Sequence, residues 1–407
     1  MRTAFVLIIL VHGIGVSLTY LFNMKVLSGR RHLPFVRRLG VVSEASLNAT
    51  GYYSSARVIT RSGRVVLPRK RSFFKANWAP HTHEISGQNV SKEVQKKLIL
   101  FYNRPEWIPS NNEYLFGRCA HHACTVTDNR DLVHRADAVV VHVCRIGDSR
   151  PLVARSSGQI WIAFGLESPV HYGGHHDSPA WRSMFNWTMT YRTDSDIFYP
   201  YGFLVLRSRP SLKNYTEIAL NKTKPVAWFV SNCNTQSRRL QYIQQLQKYI
   251  EVDVYGRCGN LHCPRNNEND CLRLLNSTYY FYLSFENSLC RDYVTEKFFK
   301  VFNNVNVIPV VRGGADYEQY FPPNTFINTA DYDSPQHMAT HLKNLMADTE
   351  TYAAMMKAKD NFILSGYPAE PFCELCKKLH DTEIQQKVYP DFMNWTKNGK
   401  CWEPADV

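Results

Sequence analysis

A chain of 407 residues has room for roughly two to three domains, and its 44% hydrophobic content is that of a globular protein. The formal net charge of +13 is concentrated: twelve basic residues against the single acid Glu44 lie between Lys25 and Lys75, which leaves +2 for everything else. A near-neutral body behind a basic leader is a poor reader of a phosphate backbone, so a nucleic-acid partner is excluded.

In chain order, Ala4 to Phe22 comes first, nineteen residues without a charge and close to the ~20 needed to cross a bilayer. No A-x-A site follows it, so it reads as an uncleaved anchor rather than a signal peptide. The basic residues after it favour a cytoplasmic body by the positive-inside rule. Seven Asn-x-Ser/Thr sequons, at Asn48, Asn89, Asn186, Asn214, Asn221, Asn276 and Asn394, oppose that orientation. So do 11 cysteines, all beyond the anchor and clustered, which suit an oxidising lumen. We take the body to be lumenal, with an odd cysteine count leaving at least one free thiol. Cys119 and Cys124 are expected to bridge to Cys373 and Cys376, the alternative being local pairing within each cluster.

Lys25 to about Trp78 is polar and basic, as expected of a flexible tether. Order is expected to begin near Gln95, where KKLILFYNRPEW supplies a short apolar run. Ala136–Cys144 and Gln159–Leu166 are continuous apolar runs of strand length, the pattern of strands buried on both faces. Ser208–Pro225 reads as a linker. A second series follows: strands at Val226–Cys233, Val252–Gly256, Tyr279–Glu286 and Val305–Val311, with helices at Ser237–Ile250, at TEKFFKVFNN and at MATHLKNLM. Strands alternating with helices give parallel sheets, so the expected architecture is α/β, two Rossmann-like lobes facing across a cleft.

Ligands of such sheets bind beyond the carboxyl ends of strands, at the switch point. Glu167 sits there, rigid between a buried strand and Pro169; it is either a general base or a loop acid paired with a cation. Lys297, in the first turn of a helix capped by Thr295, and Arg239 or its neighbour Arg238 are cations suited to a diphosphate leaving group. A solvated surface lysine is the plainer alternative for Lys297. Asp194-Ser195-Asp196 has the form of a metal-holding DxD, but a turn or an arginine pair is the better reading. His171, His175 and His176 lack zinc-site spacing and read as polar cleft lining.

Phe281–Phe299, FYLSFENSLCRDYVTEKFF, closely resembles the donor-binding signature of the eukaryotic α1,3-fucosyltransferase family. IWIAFGLESP, MTYRTDSDIFYPYG, VSNCNTQSRRLQYIQQL and FCELC are similar to further segments of that family. The resemblance implies a GT-B type fold and a single-pass type II protein of the Golgi membrane. It implies inversion at the fucose anomeric carbon, with Glu167 as general base. It puts Tyr201, Ser231, Asn232, Arg239, Tyr255, Tyr282, Asn287, Tyr293, Glu296 and Lys297 at positions used for GDP-fucose, Arg239 and Lys297 neutralising the diphosphate and Glu296 holding ribose or fucose hydroxyls. The acceptor partner would be the N-glycan of a glycoprotein. No cofactor is required for the chemistry, with Mn or Mg a stimulant at most. The implied organisation is a tail at 1–3, an anchor at 4–22, a stem at 23–94, an acceptor lobe at 95–215, a donor lobe at 216–365 and a tail at 366–407 packing back on the acceptor lobe. GRCGNLHC looks most like the branch acting on the Asn-linked core GlcNAc; the alternatives are a Lewis-type enzyme acting on outer LacNAc or LacdiNAc units, and an inactive lumenal glycan-binding protein.

Overall fold

The computed structural model describes residues 95–119, 123–147, 155–172, 178–263, 268–365, 370–381, 387–398 and 400–407, with three two-residue strands, β1 (Val58–Ile59), β2 (Val65–Val66) and β3 (Phe74–Lys75). The expected span at 4–22, the sequons at Asn48 and Asn89, and His175 and His176 lie outside the described residues. Among the described residues, no helix is long and apolar enough to cross a membrane.

The amino-terminal lobe contains β4 (Lys97–Phe101), α1 (Asn112–Phe116), β5 (Cys124–Thr127), β6 (Ala138–His142), β7 (Ile160–Gly165), β8 (Trp187–Thr190) and β9 (Ile197–Phe198). They form one six-stranded parallel sheet in the order β5-β4-β6-β7-β8-β9. Every residue of β6 and β7 is buried, because each face of the sheet carries its own apolar layer. The short strand β10 (Leu204–Leu206) leads out of the lobe.

The second lobe runs through α2 (Tyr215–Leu220), β11 (Lys224–Phe229), α3 (Arg239–Leu246), β12 (Val252–Tyr255), α4 (Glu268–Thr278), β13 (Tyr279–Phe285), α5 (Glu296–Phe299), β14 (Ile308–Arg312), α6 (Tyr317–Tyr320), β15 (Ile327–Asn328), α7 (Pro335–Ala347) and α8 (Thr349–Asp360). Its five strands are all parallel, in the order β12-β11-β13-β14-β15. Period-two alternation divides β13: Phe281, Leu283 and Phe285 pack under α3, α7 and α8, whereas Tyr282 faces Phe298 and Phe299 of α5. Both sheets start in the middle, turn one way and then return the other. The resulting switch points lie between β4 and β6 and between β11 and β13.

Two sequence expectations change. Residues 208–225 are not a plain linker, since α2 lies within them. Asn214 caps that helix by accepting from the Glu217 amide, and Tyr215 donates to Asp360 of α8 at 2.6 Å. The same Asn-x-Thr pattern that marks a sequon also satisfies a helix start. The helix expected over TEKFFKVFNN is only the four residues of α5, followed by a 3₁₀ turn at Lys300–Phe302. Phe298, Phe299 and Phe302 of this stretch are all drawn into one apolar cluster with Tyr282, Tyr317 and Phe321.

Beyond β16 (Phe362–Leu364), the chain returns to the first lobe. Phe372, Leu375, Cys376 and Leu379 of α9 (Glu370–Leu379) complete its core, and Phe392 and Met393 of α10 (Phe392–Lys397) cover the other face. Disulfides Cys119–Cys373 and Cys124–Cys376 fix that return. Three more join Cys233 to Cys258, Cys263 to Cys271 and Cys290 to Cys401, and Cys144 is free.

Candidate active site

Where β7 ends, three consecutive residues are each engaged by a hydroxyl. Tyr201 donates to the Leu166 carbonyl at 2.8 Å, Tyr293 donates to Glu167 Oε2 at 2.9 Å, and Ser168 Oγ meets Ser288 Oγ at 2.7 Å. Glu167 is half-buried and lines a cavity of about 640 Å³ with Tyr201, His142, Cys144, Trp107 and Tyr114. It is the one carboxylate among the described residues of that lining. Burial, aided by Arg145, drops the His142 pKa to about 4, and burial pushes the Cys144 thiol up to about 12, so both are neutral near pH 7. Trp107 and Tyr114 stay about half exposed at the rim, as rings able to receive a pyranose face.

Across the cleft stand the ends of β11 and β13 and the loop into α5. Glu286, fully buried, accepts from the Thr295 amide at 2.8 Å and from the Thr295 hydroxyl, and lies 3.5 Å from the Lys297 ammonium. Burial pushes the Glu286 carboxyl up, against the pull of Lys297. Lys297 also reaches the Thr295 hydroxyl at 2.8 Å and Glu296 at 3.1 Å. Burial works against its charge, but Glu286 and Glu296 outweigh it and hold its pKa above the usual lysine value. A four-residue helix supplies little dipole, so the cationic character here comes from the ammonium itself.

Arg239 is 4% exposed, donating to the Phe285 carbonyl at 2.7 Å and the Asn232 carbonyl at 3.0 Å. It ties the ends of β11 and β13 together, within electrostatic reach of Glu286, Glu296 and Lys297. Arg238 takes a left-handed backbone and points away to Glu403 at 3.6 Å, so of the adjacent arginines only Arg239 faces the site. Ser231, Asn232 and Tyr255 line a second cavity of about 820 Å³ with Phe229, Gly256 and Lys300. Gly256, at φ +99°, is required there because a Cβ would collide with the Val230 carbonyl. Tyr282 lies behind this cavity, buried, with the Lys300 ammonium 4.9 Å above its ring. Asn287 is half-buried between the two groups, its carbonyl accepting from the Ser237 amide.

The structure therefore brings Glu167, Tyr201, Tyr293, Glu296, Lys297 and Arg239 together, with Ser231, Asn232 and Tyr255 in an adjoining recess. Sequence reasoning missed Glu286, Ser288 and Lys300; an acid ending an otherwise apolar strand was the available signal for Glu286. Asp194 chelates Arg192 (2.9 and 2.7 Å) and Asp196 binds Thr188 and Lys387, which realises the arginine-pair reading of the DxD. The cleft histidine is His142, whereas His171 ends a 3₁₀ turn outside that lining. Asn186 needs correction as a glycan site. It is 3% exposed, with Oδ1 accepting from the Trp161 amide and Nδ2 donating to the Lys387 carbonyl, so its amide has no room for a sugar. Asn214, Asn221 and Asn394 are exposed and Asn276 is half-buried.

A carboxylate facing a cation cluster across two parallel-sheet lobes suits a group-transfer enzyme, and the sequence assigns the class as glycosyltransferase. Residues 94–202 match the fucosyltransferase N-terminal family, and residues 219–395 match the C-terminal part of glycosyltransferase family 10 (fucosyltransferase). The chain belongs to the family 10 fucosyltransferases. It is 36% identical over 366 residues to glycoprotein 3-alpha-L-fucosyltransferase A of Drosophila melanogaster, covering 86% of this chain and 70% of that one. It is also 36% identical over 292 residues to the Homo sapiens 4-galactosyl-N-acetylglucosaminide 3-alpha-L-fucosyltransferase FUT6, covering 70% and 78%. A crystal structure of an α1,3-fucosyltransferase with GDP is similar at 18% identity and a TM-score of 0.42, covering 69% of this chain and 84% of that one.

Proposed function

We propose that this enzyme transfers L-fucose from GDP-β-L-fucose to the 3-hydroxyl of a GlcNAc on glycoprotein N-glycans, the core GlcNAc attached to Asn, with inversion at the anomeric carbon. The observation that carries the reading is Glu167, the lone carboxylate among the described residues of a ring-rimmed cavity, set opposite Lys297 and Arg239. Glu167 removes the proton of the acceptor hydroxyl as its oxygen attacks fucose C1. The bond from C1 to the β-phosphate oxygen breaks, and GDP leaves carrying charge that Lys297, with Arg239 behind it, stabilises. Glu296 and Asn287 flank the position of the sugar and ribose hydroxyls.

The core acceptor is supported by the long match to a relative named for glycoproteins and by GRCGNLHC, whose cysteine Cys258 is bridged to Cys233 at the mouth of the donor lobe. Five disulfides support a lumenal body, and we place it in the Golgi, held by the anchor at 4–22. Divalent metal acts as no more than a stimulant in this scheme. The test is to incubate the purified full chain with a panel of sugar nucleotides and two acceptors, a core glycopeptide and a LacNAc glycan. Transfer from GDP-fucose to the core GlcNAc supports the proposal. Preference for LacNAc would assign the Lewis-type reaction, and inactivity with every donor would leave a glycan-binding protein.

A further inference from the structure

The donor-lobe loop between β13 and α5 does more than hold its own strand end: two of its hydroxyls cross the cleft to the segment carrying Glu167. Tyr293 reaches Glu167 Oε2 at 2.9 Å and Ser288 reaches Ser168 at 2.7 Å. Both are buried, Tyr293 1% exposed and Ser288 fully covered. The Tyr293 ring is wedged edge-on against Tyr191 at 4.9 Å and Tyr201 at 6.3 Å, which leaves it little rotational freedom. Its neighbour Asp292 is held in the left-handed region, φ +63°, by bonds from the Thr193 amide and hydroxyl and from Tyr320. Thr193 belongs to the other lobe, so the loop is anchored across the cleft on both sides of the base.

We propose that Tyr293 and Ser288 are positioning residues for the general base, a bridge by which the donor-binding loop orients Glu167, and that the Tyr293 hydroxyl serves the base rather than GDP-fucose. The inference rests on the fucosyl-transfer reading of the site. A hydroxyl donating to one carboxylate oxygen fixes the carboxylate plane and leaves the other oxygen to take the acceptor proton. The other titratable groups facing Glu167 are Cys144, Tyr172, Tyr191 and Tyr201, whose pKa values are all raised, first by burial. They stay neutral at working pH.

The test uses the full chain with Tyr293→Phe and Ser288→Ala, read by GDP calorimetry, thermal melting and the kcat and KM of transfer. Phenylalanine keeps the ring packing and removes only the hydroxyl. Tyr293→Phe is expected to lower kcat by about tenfold or more, as loss of a hydrogen bond to a charged group does. It should leave GDP affinity within about twofold, so that the loss falls on kcat and not on donor binding. Ser288→Ala should lower kcat less, because it acts on Ser168 and not on the carboxylate. A Tyr293→Phe protein that melts like the parent but binds GDP about tenfold more weakly would make Tyr293 a donor ligand and overturn the proposal. Unchanged transfer would overturn it too. Failure of the parent chain to bind GDP or transfer fucose would instead sink the reading of the site itself.

Discussion

Replacing Arg239 with Met separates a structural role from a donor-binding one. The guanidinium makes two charge-assisted bonds, to the carbonyls of Phe285 and Asn232, and lies 5.6 Å from the Trp228 ring. At 4% exposure no water stands ready to replace it. Each such bond contributes ~1.5–3 kcal/mol, and its loss strands a buried carbonyl, so Arg239→Met should cost about 3–5 kcal/mol. In a lobe of this size that is a fall of roughly 10 °C in Tm. Lys297→Ala takes the cation away from the fully buried Glu286, so it too should lower stability. Both variants should lose GDP affinity and stability, and Arg239→Met should in addition strand the carbonyls of Phe285 and Asn232. Melting curves and GDP calorimetry on the pair decide it. An Arg239→Met protein that melts with the parent would show that Arg239 does not tie β11 to β13.

Removing both Cys119–Cys373 and Cys124–Cys376, which close loops of 254 and 252 residues, should lower stability by at least ~4 kcal/mol in the chain-entropy view. Breaking one alone leaves the other closing the same long loop, so its cost in urea unfolding should be less than half. Asn186→Gln should leave the glycosylated gel mobility unchanged while lowering Tm, because Asn186 bonds to Trp161 and Lys387 and carries no sugar. His142, with its folded pKa depressed by burial to about 4 from the usual 6.5, binds fewer protons folded than unfolded across that window. Its stabilisation is present above pH 6.5 and is lost as pH falls toward 4. A His142→Phe variant should therefore show a flatter fall in Tm between pH 7 and pH 5 than the parent.

Much of the fold was legible in the sequence because β6, β7, β11 and β13 are buried on both faces and so read as unbroken apolar runs. The rule that ligands bind beyond the carboxyl ends of strands then led to Glu167, Asn232 and Asn287, and the family resemblance gave Glu167 its role. What failed to show was non-local. Nothing in the spacing of Tyr293 and Glu167, 126 residues apart, says that one donates to the other. The burial of Glu286 depends on a loop folding back so that Thr295 and Lys297 enclose it. Asn186 satisfies the sequon pattern, yet Trp187 and Thr188 beside it are strand residues with almost no exposure, and a three-residue pattern carries no information about that. The helix α2 was hidden because Pro210, Asn214, Thr216 and Pro225 give the stretch around it the composition of a linker.

The most direct test of the central claim is turnover and GDP affinity for Glu167→Gln beside the parent enzyme. The amide keeps the shape of the side chain and can still accept from Tyr293, but it cannot take the proton of the acceptor hydroxyl. Transfer should fall by on the order of a hundred- to ten-thousandfold, the usual loss when a general base is removed. GDP affinity should stay as it was, since Lys297, Glu296 and Arg239 are untouched. If Glu167→Gln kept more than about a tenth of the parent's turnover, a loss too small for a missing base, Glu167 would not be the residue that activates the acceptor.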